Sequence, residues 1–125
     1  MIQSIFGAMQ FDTGWKTKVE IVLFGQPYNI TLKARAYYET DGMTAEQEAA
    51  LSNYQNHREE RMRETEELLL AYGGKDCPTR FFPRTLLFER NGEYALLCDD
   101  KENPDDGVAV VLFPKQKVIL QDDYL

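Results

Sequence analysis

The stretch that decides the fold runs from residue 44 to residue 74, TAEQEAALSNYQNHREERMRETEELLLAYGG. It contains neither glycine nor proline from Thr44 to Tyr72, and strong helix formers dominate it. Thr44 followed three residues later by Gln47 is the capping-box pattern. Glu46 and Glu48 sit against the positive end of the helix dipole, and Gly73-Gly74 supplies the stop. The expectation is one helix over 44–72, about 43 Å long at about 1.5 Å per residue. Leu51, Tyr54, Met62, Leu69 and Tyr72 can line one side of it, but residues 55–61, QNHREER, are strongly polar. A helix with such a middle either bends there or projects past its neighbours. A single helix packed at both ends is the expected form.

On either side the hydrophobic period changes from that of a helix to that of a strand. Residues 28–38, YNITLKARAYY, put Tyr28, Ile30, Leu32, Ala34, Ala36 and Tyr38 on one face. Asn29, Thr31, Lys33 and Arg35 share the other, so the strand is half-buried. Residues 4–11 and 16–24 precede it, with the break at Gly25-Gln26-Pro27 suggesting a hairpin between the second and third strands. Residues 75–84 form an expected loop. Residues 85–90 and 93–98 flank Asn91-Gly92, a type I′ hairpin signal. Residues 108–113 and 117–121 complete the set after an acidic turn at 99–107. The later strands are apolar on both faces, which calls for cover on both sides. The expected fold class is therefore α+β: an antiparallel sheet of about seven strands with one long helix inserted after the third. The 125 residues make a single domain over 1–125, with enough chain for a real core.

The net charge is −7, from 21 acidic and 14 basic residues. Such a surface repels phosphates and disfavours nucleic acid; it either serves solubility alone, the commoner case, or attracts basic partners. The excess sits in two places, the helix and residues 99–125. No stretch approaches the roughly 20 apolar residues of a membrane span. No signal peptide is recognisable, so the expected location is the cytoplasm, with Cys77 and Cys98 reduced.

Few residues are placed for catalysis. His57 is the only histidine and lies in the polar middle of the helix. Ser52 is rotated about 140° away from it on a helix, so the two cannot form a nucleophile–base pair. Cys77 has Arg80 and Arg84 nearby but no base, and reads as a loop thiol, with Cys98 a small core residue. Two cysteines and one histidine match no zinc spacing. The acidic turn fails the EF-hand pattern and has no closing bidentate glutamate. No glycine-rich phosphate loop is present. No metal and no cofactor are expected. Trp15, Tyr37, Tyr38, Phe81 and Phe82 have the residue types of binding hot spots, although core packing is the commoner use of large aromatics.

Four segments carry a resemblance: W-K-x-K-V-E-I-V-L-F-G from Trp15, A-Y-Y-E-x-D-G from Ala36, P-R-T-L-L-F-E-R-N-G-E-Y-A-L-L-C-D-D from Pro83, and V-I-L-Q-D-D-Y-L from Val118. They resemble a family of small bacterial domains of unknown function. The chain is also loosely similar to the immunity proteins that neutralise bacterial toxins. That likeness implies no catalytic residues and fits the acidity, since nuclease toxins are often basic. The leading expectation is a non-enzymatic bacterial binding protein with an acidic surface for a basic protein such as a toxin. The alternatives are a structural or accessory domain and, third, a small enzyme using carboxylates alone. The expected contact residues are Asp99, Asp100, Glu102, Asp105 and Asp106 of the turn, Asp122 and Asp123 after the last strand, and Tyr124 as an anchor.

Overall fold

Thr44 caps a helix as its spacing demands. Its hydroxyl accepts the Gln47 N–H, and the Gln47 side chain accepts the Thr44 N–H. Gln47 does more than the pattern requires. It is fully buried, and its amide donates to the carbonyls of Arg35 and Phe88, tying the helix start to the strands below it. In the computed structural model, which describes residues 1–125, eight strands form one sheet in sequence order. They are β1 (Ile2–Ser4), β2 (Gly7–Phe11), β3 (Trp15–Leu23), β4 (Gln26–Ala34), β5 (Phe81–Phe88), β6 (Tyr94–Asp100), β7 (Val108–Phe113) and β8 (Lys117–Leu120). Every neighbouring pair is antiparallel except β4 and β5. A parallel pair needs a long crossover, and the helical segment provides it.

That segment is two helices, α1 (Ala45–Asn56) and α2 (Arg58–Gly73), not one. The break falls at His57 (φ −131°, ψ 26°), inside the polar stretch. The longest strands have nine residues, so they reach only about 30 Å. An unbroken helix of about 43 Å would overrun the sheet. Breaking at His57 lets α1 bury Leu51 and Tyr54 while α2 buries Met62 and Leu69. Tyr72, expected on the same stripe, is instead exposed.

The sheet has eight strands rather than about seven because residues 2–11 fold as the β1–β2 hairpin instead of the single strand expected over 4–11. Ser4 Oγ accepts the Phe6 N–H and donates to the Gly7 carbonyl, and Gly7 turns with φ +92°. This hairpin carries Phe6 to within 6.1 Å of the Tyr54 ring on α1. β4 ends at Ala34, four residues earlier than expected. The β3–β4 turn is Phe24-Gly25, both at positive φ, which is the type I′ signature. At Asn91-Gly92 only Gly92 has positive φ, so that hairpin is not type I′. Residues 75–84 are not a loop. A short helix α3 (Cys77–Arg80) leads directly into β5, and Phe81 is buried. Of the prolines that argued for a loop, Pro78 sits in the first turn of α3, where no N–H is needed, and Pro83 sits at a register shift between Pro83 and Thr85.

The helices cover one face of the sheet, over Leu86, Phe88, Leu96, Cys98, Val108 and Val110. The opposite face of the central strands is also buried at Leu87, Ala95, Ala109 and Val111. A final helical turn, α4 (Gln121–Tyr124), packs on β7 and β8 and sends Tyr124 to Glu93. No helix is long and apolar enough to cross a membrane.

Candidate binding surface

The acidic stretch is not one exposed loop. Asp99 and Asp100 are the last residues of β6, which pairs antiparallel with β5 in the register Phe81↔Asp100 and Phe82↔Asp99. That register brings Arg80 and Arg84 beside them. Asp100 is 3% exposed. Its two carboxylate oxygens accept from Nε and a terminal nitrogen of Arg80 at 2.8 and 2.9 Å, and one of them also accepts the Glu102 N–H. The bidentate Arg80 bonds hold the Asp100 carboxyl below the usual carboxylate range. Arg80 in turn lies 4.7 Å from the Phe81 ring centroid and 5.7 Å from that of Tyr72. Asp100, expected in the contact surface, is thus a buried structural residue. Glu102 is exposed and 3.3 Å from Arg80, and Asp99 is exposed and 2.6 Å from Arg84.

The rest of the acidic set is different. Asp105, Asp106, Asp122 and Asp123 take part in none of the molecule's ion pairs. The strand order sets them together. β8 runs antiparallel to β7, pairing Leu120 with Val108, so the chain leaves β8 beside the turn that enters β7. Asp106 accepts the Asp122 N–H at 3.3 Å, and Gly107 accepts the Gln121 N–H at 3.0 Å. The Gln121 side-chain amide donates to the carbonyls of Cys98 and Val108. Any side chain at Gly107 would run into the Cys98 carbonyl and the Gln121 amide, so glycine is required for this approach. Gln121 and Gly107, which carry no charge, are what position the acids, and nothing in the sequence pattern singled them out.

Tyr124 does not stand free beside these acids. It is half-buried and donates to Glu93 at 3.1 Å on the β5–β6 hairpin. Burial and the nearby carboxylates of Glu93 and Glu89 push its phenol pKa up. It pins the tail to the sheet rather than offering an anchor.

The remaining sequence candidates settle simply. His57 is exposed, with Nδ1 2.8 Å from the Asn53 carbonyl. Cys77 is buried rather than a loop thiol. It donates to the Leu69 carbonyl, and burial pushes its pKa up. Cys98 is a buried core residue, and both cysteines are free. Trp15 and Phe81 are core, whereas Tyr37 and Tyr38 are 77% and 71% exposed. No group of three or more His, Cys, Asp or Glu side chains is arranged to hold a metal ion. Compared with known protein families, curated proteins and solved structures, the chain has no significant match.

Proposed function

We propose that the chain is a non-catalytic binding protein whose acidic corner, Asp105, Asp106, Asp122 and Asp123, receives a basic surface of another protein. One observation carries this reading: the Asp122 N–H bonded to Asp106, which holds together two acidic segments whose aspartates form no ion pair. Two acidic segments held together without an ion pair leave their negative charge uncompensated, and a basic partner compensates it. The immunity-like reading belongs here too. A protein that neutralises a basic toxin needs such a surface, and one outside the core can vary without loss of the fold.

The test is retention of a basic protein by the immobilised chain at low and high salt. The comparator is the variant carrying Asp105→Asn, Asp106→Asn, Asp122→Asn and Asp123→Asn. Retention that falls with salt and is lost in the variant is the expected result. Equal retention by both forms refutes the proposal.

A further inference from the structure

β3 is bonded to β4 along all nine of its residues, but to β2 only at Trp15 and Lys16. Beyond Lys16 the β1–β2 hairpin turns away toward α1, and the outer edge of β3 is left without a strand. The two-residue turn Phe24-Gly25 fixes which groups face outward. Leu23 and Gln26 close the hairpin and exchange bonds, so Ile21 and Val19 also bond to β4. The N–H and C=O groups of Lys18, Glu20 and Val22 therefore point away from the sheet. Only one of them is taken, the Glu20 carbonyl, which accepts from Arg58 at 2.7 Å. A groove of about 340 Å³ runs along this edge between Ile21 and Val22 of the strand and Arg58, Met62 and Glu66 of α2, with Tyr54 of α1. Val22 is 52% exposed beside it, and the buried Tyr54 hydroxyl has no hydrogen-bond partner.

We propose that the edge of β3, Lys18–Val22, is a docking site for an extended peptide segment of another protein, which adds antiparallel as a further strand and displaces Arg58 from the Glu20 carbonyl. Unpaired main-chain groups on an edge are a template for that mode of binding, and alternate side chains set its specificity. The exposed positions are basic at Lys18, acidic at Glu20 and apolar at Val22. The complementary segment has an acid opposite Lys18, a base opposite Glu20 and a β-branched residue opposite Val22. Its intervening side chains point to the α2 side of the groove.

A second copy of β3 does not fit. Two-fold pairing about Glu20 sets that carboxylate against its twin. Pairing about Val19 needs the outward groups of Lys16, which already pair with Gln10. Pairing about Ile21 needs the Phe24 N–H, which donates to Glu66 at 2.8 Å. The site lies four strands away from β7 and the acidic corner, so it is independent of the function proposed above.

The probe is a fluorescent peptide of sequence TVTKTET, whose valine, lysine and glutamate fall opposite Val22, Glu20 and Lys18. Saturable binding is expected, with slowed amide exchange at Lys18, Glu20 and Val22. Methylating the peptide nitrogens of its valine and glutamate removes two ladder bonds and is expected to weaken binding at least tenfold. The swapped peptide TVTETKT is expected to bind several-fold more weakly, and the double variant Lys18→Glu, Glu20→Lys to reverse that preference. Both positions are on the wet face, so the variant keeps the core intact. Absence of binding at millimolar peptide overturns the proposal. So does equal binding of the methylated peptide, or a concentration-dependent dimer that protects the same amides.

Discussion

The two halves of the C-terminal acidic region have nearly the same composition and opposite fates. Asp99, Asp100 and Glu102 meet Arg84 and Arg80, which the β5–β6 ladder delivers across from them. Asp105, Asp106, Asp122 and Asp123 lie where β7 begins and β8 ends, and they belong to none of the ion pairs. A run of carboxylates is therefore not one feature. What each carboxylate does is decided by the strand beside it. The first half is paired with cations of the chain, and at Asp100 the pair is buried in the fold; the second half has no ion pair.

The sharpest way to break that contrast is to remove Arg80. Asp100 is then a buried carboxylate with no cation to pair with, a defect that costs about 3–5 kcal/mol. For a chain of this length the melting temperature is expected to fall by on the order of 10 °C. Calorimetry of Arg80→Ala measures it. A loss below about 1 kcal/mol would place Asp100 with the available carboxylates and dissolve the distinction.

The same pair gives a pH signature. The Asp100 carboxyl is held below its unfolded value by Arg80, so the folded state favours its ionised form. Its contribution to stability is fully present above the unfolded carboxylate pKa, about 3.9 for aspartate. It is lost as pH falls through the lowered folded value. Asp100→Asn lacks this contribution at every pH. Urea midpoints from neutral to acid pH are therefore expected to fall less steeply in the variant. Parallel curves for the two proteins would mean that Arg80 does not hold the proton off.

A smaller effect is expected at Arg84 and Asp99. Their side chains are 66% and 54% exposed, and exposed ion pairs contribute about 0–1 kcal/mol. Arg84→Ala is expected to shift the urea midpoint by an amount in that range, and less at high salt. A loss comparable to that of Arg80→Ala would show the short Arg84–Asp99 contact to be part of the structural half.

The sequence carried the parts of this picture that are local. The Thr44 capping box, the Gly73-Gly74 stop and the period-two pattern of residues 28–34 all depend on neighbours a few residues away. What it did not carry depends on pairing across the sheet. Asp100 looks like any other aspartate in DDKENPDDG until the β5 register sets Arg80 opposite it, twenty residues earlier in the chain. The parallel β4–β5 pair, which leaves strand order equal to sequence order, has no local signal. The nearness of Asp106 and Asp122 follows from β8 lying beside β7, and Tyr124 looked free because nothing nearby in sequence names Glu93 as its acceptor. His57 is an intermediate case. The polar stretch QNHREER marked where the helix could break, and the reach of the strands decided that it does.

The smallest expected effect on stability is the most informative about function. Replacing Asp105, Asp106, Asp122 and Asp123 by asparagine removes four negative charges that pair with no cation and leaves the polar atoms in place. The Asp106 side chain keeps an oxygen to accept the Asp122 N–H, and Gln121 keeps its bonds to Cys98 and Val108. Stability is therefore expected to stay within about 0.5 kcal/mol of the parent, the range of ordinary surface substitutions. Some gain is expected from relieved repulsion and some loss from the first turn of α4, where Asp122 and Asp123 favour the helix dipole. Association is where the change appears. Charges at the rim of an interface speed encounter and make it salt-dependent, while buried anchors set the dissociation rate. With a captured basic partner, the variant is expected to associate more slowly at low salt and to show a flatter salt dependence, with dissociation little changed. A variant that instead loses more than about 2 kcal/mol of stability would assign these carboxylates to the fold, as with Asp100. One that associates at the parental rate would leave their charge serving solubility alone.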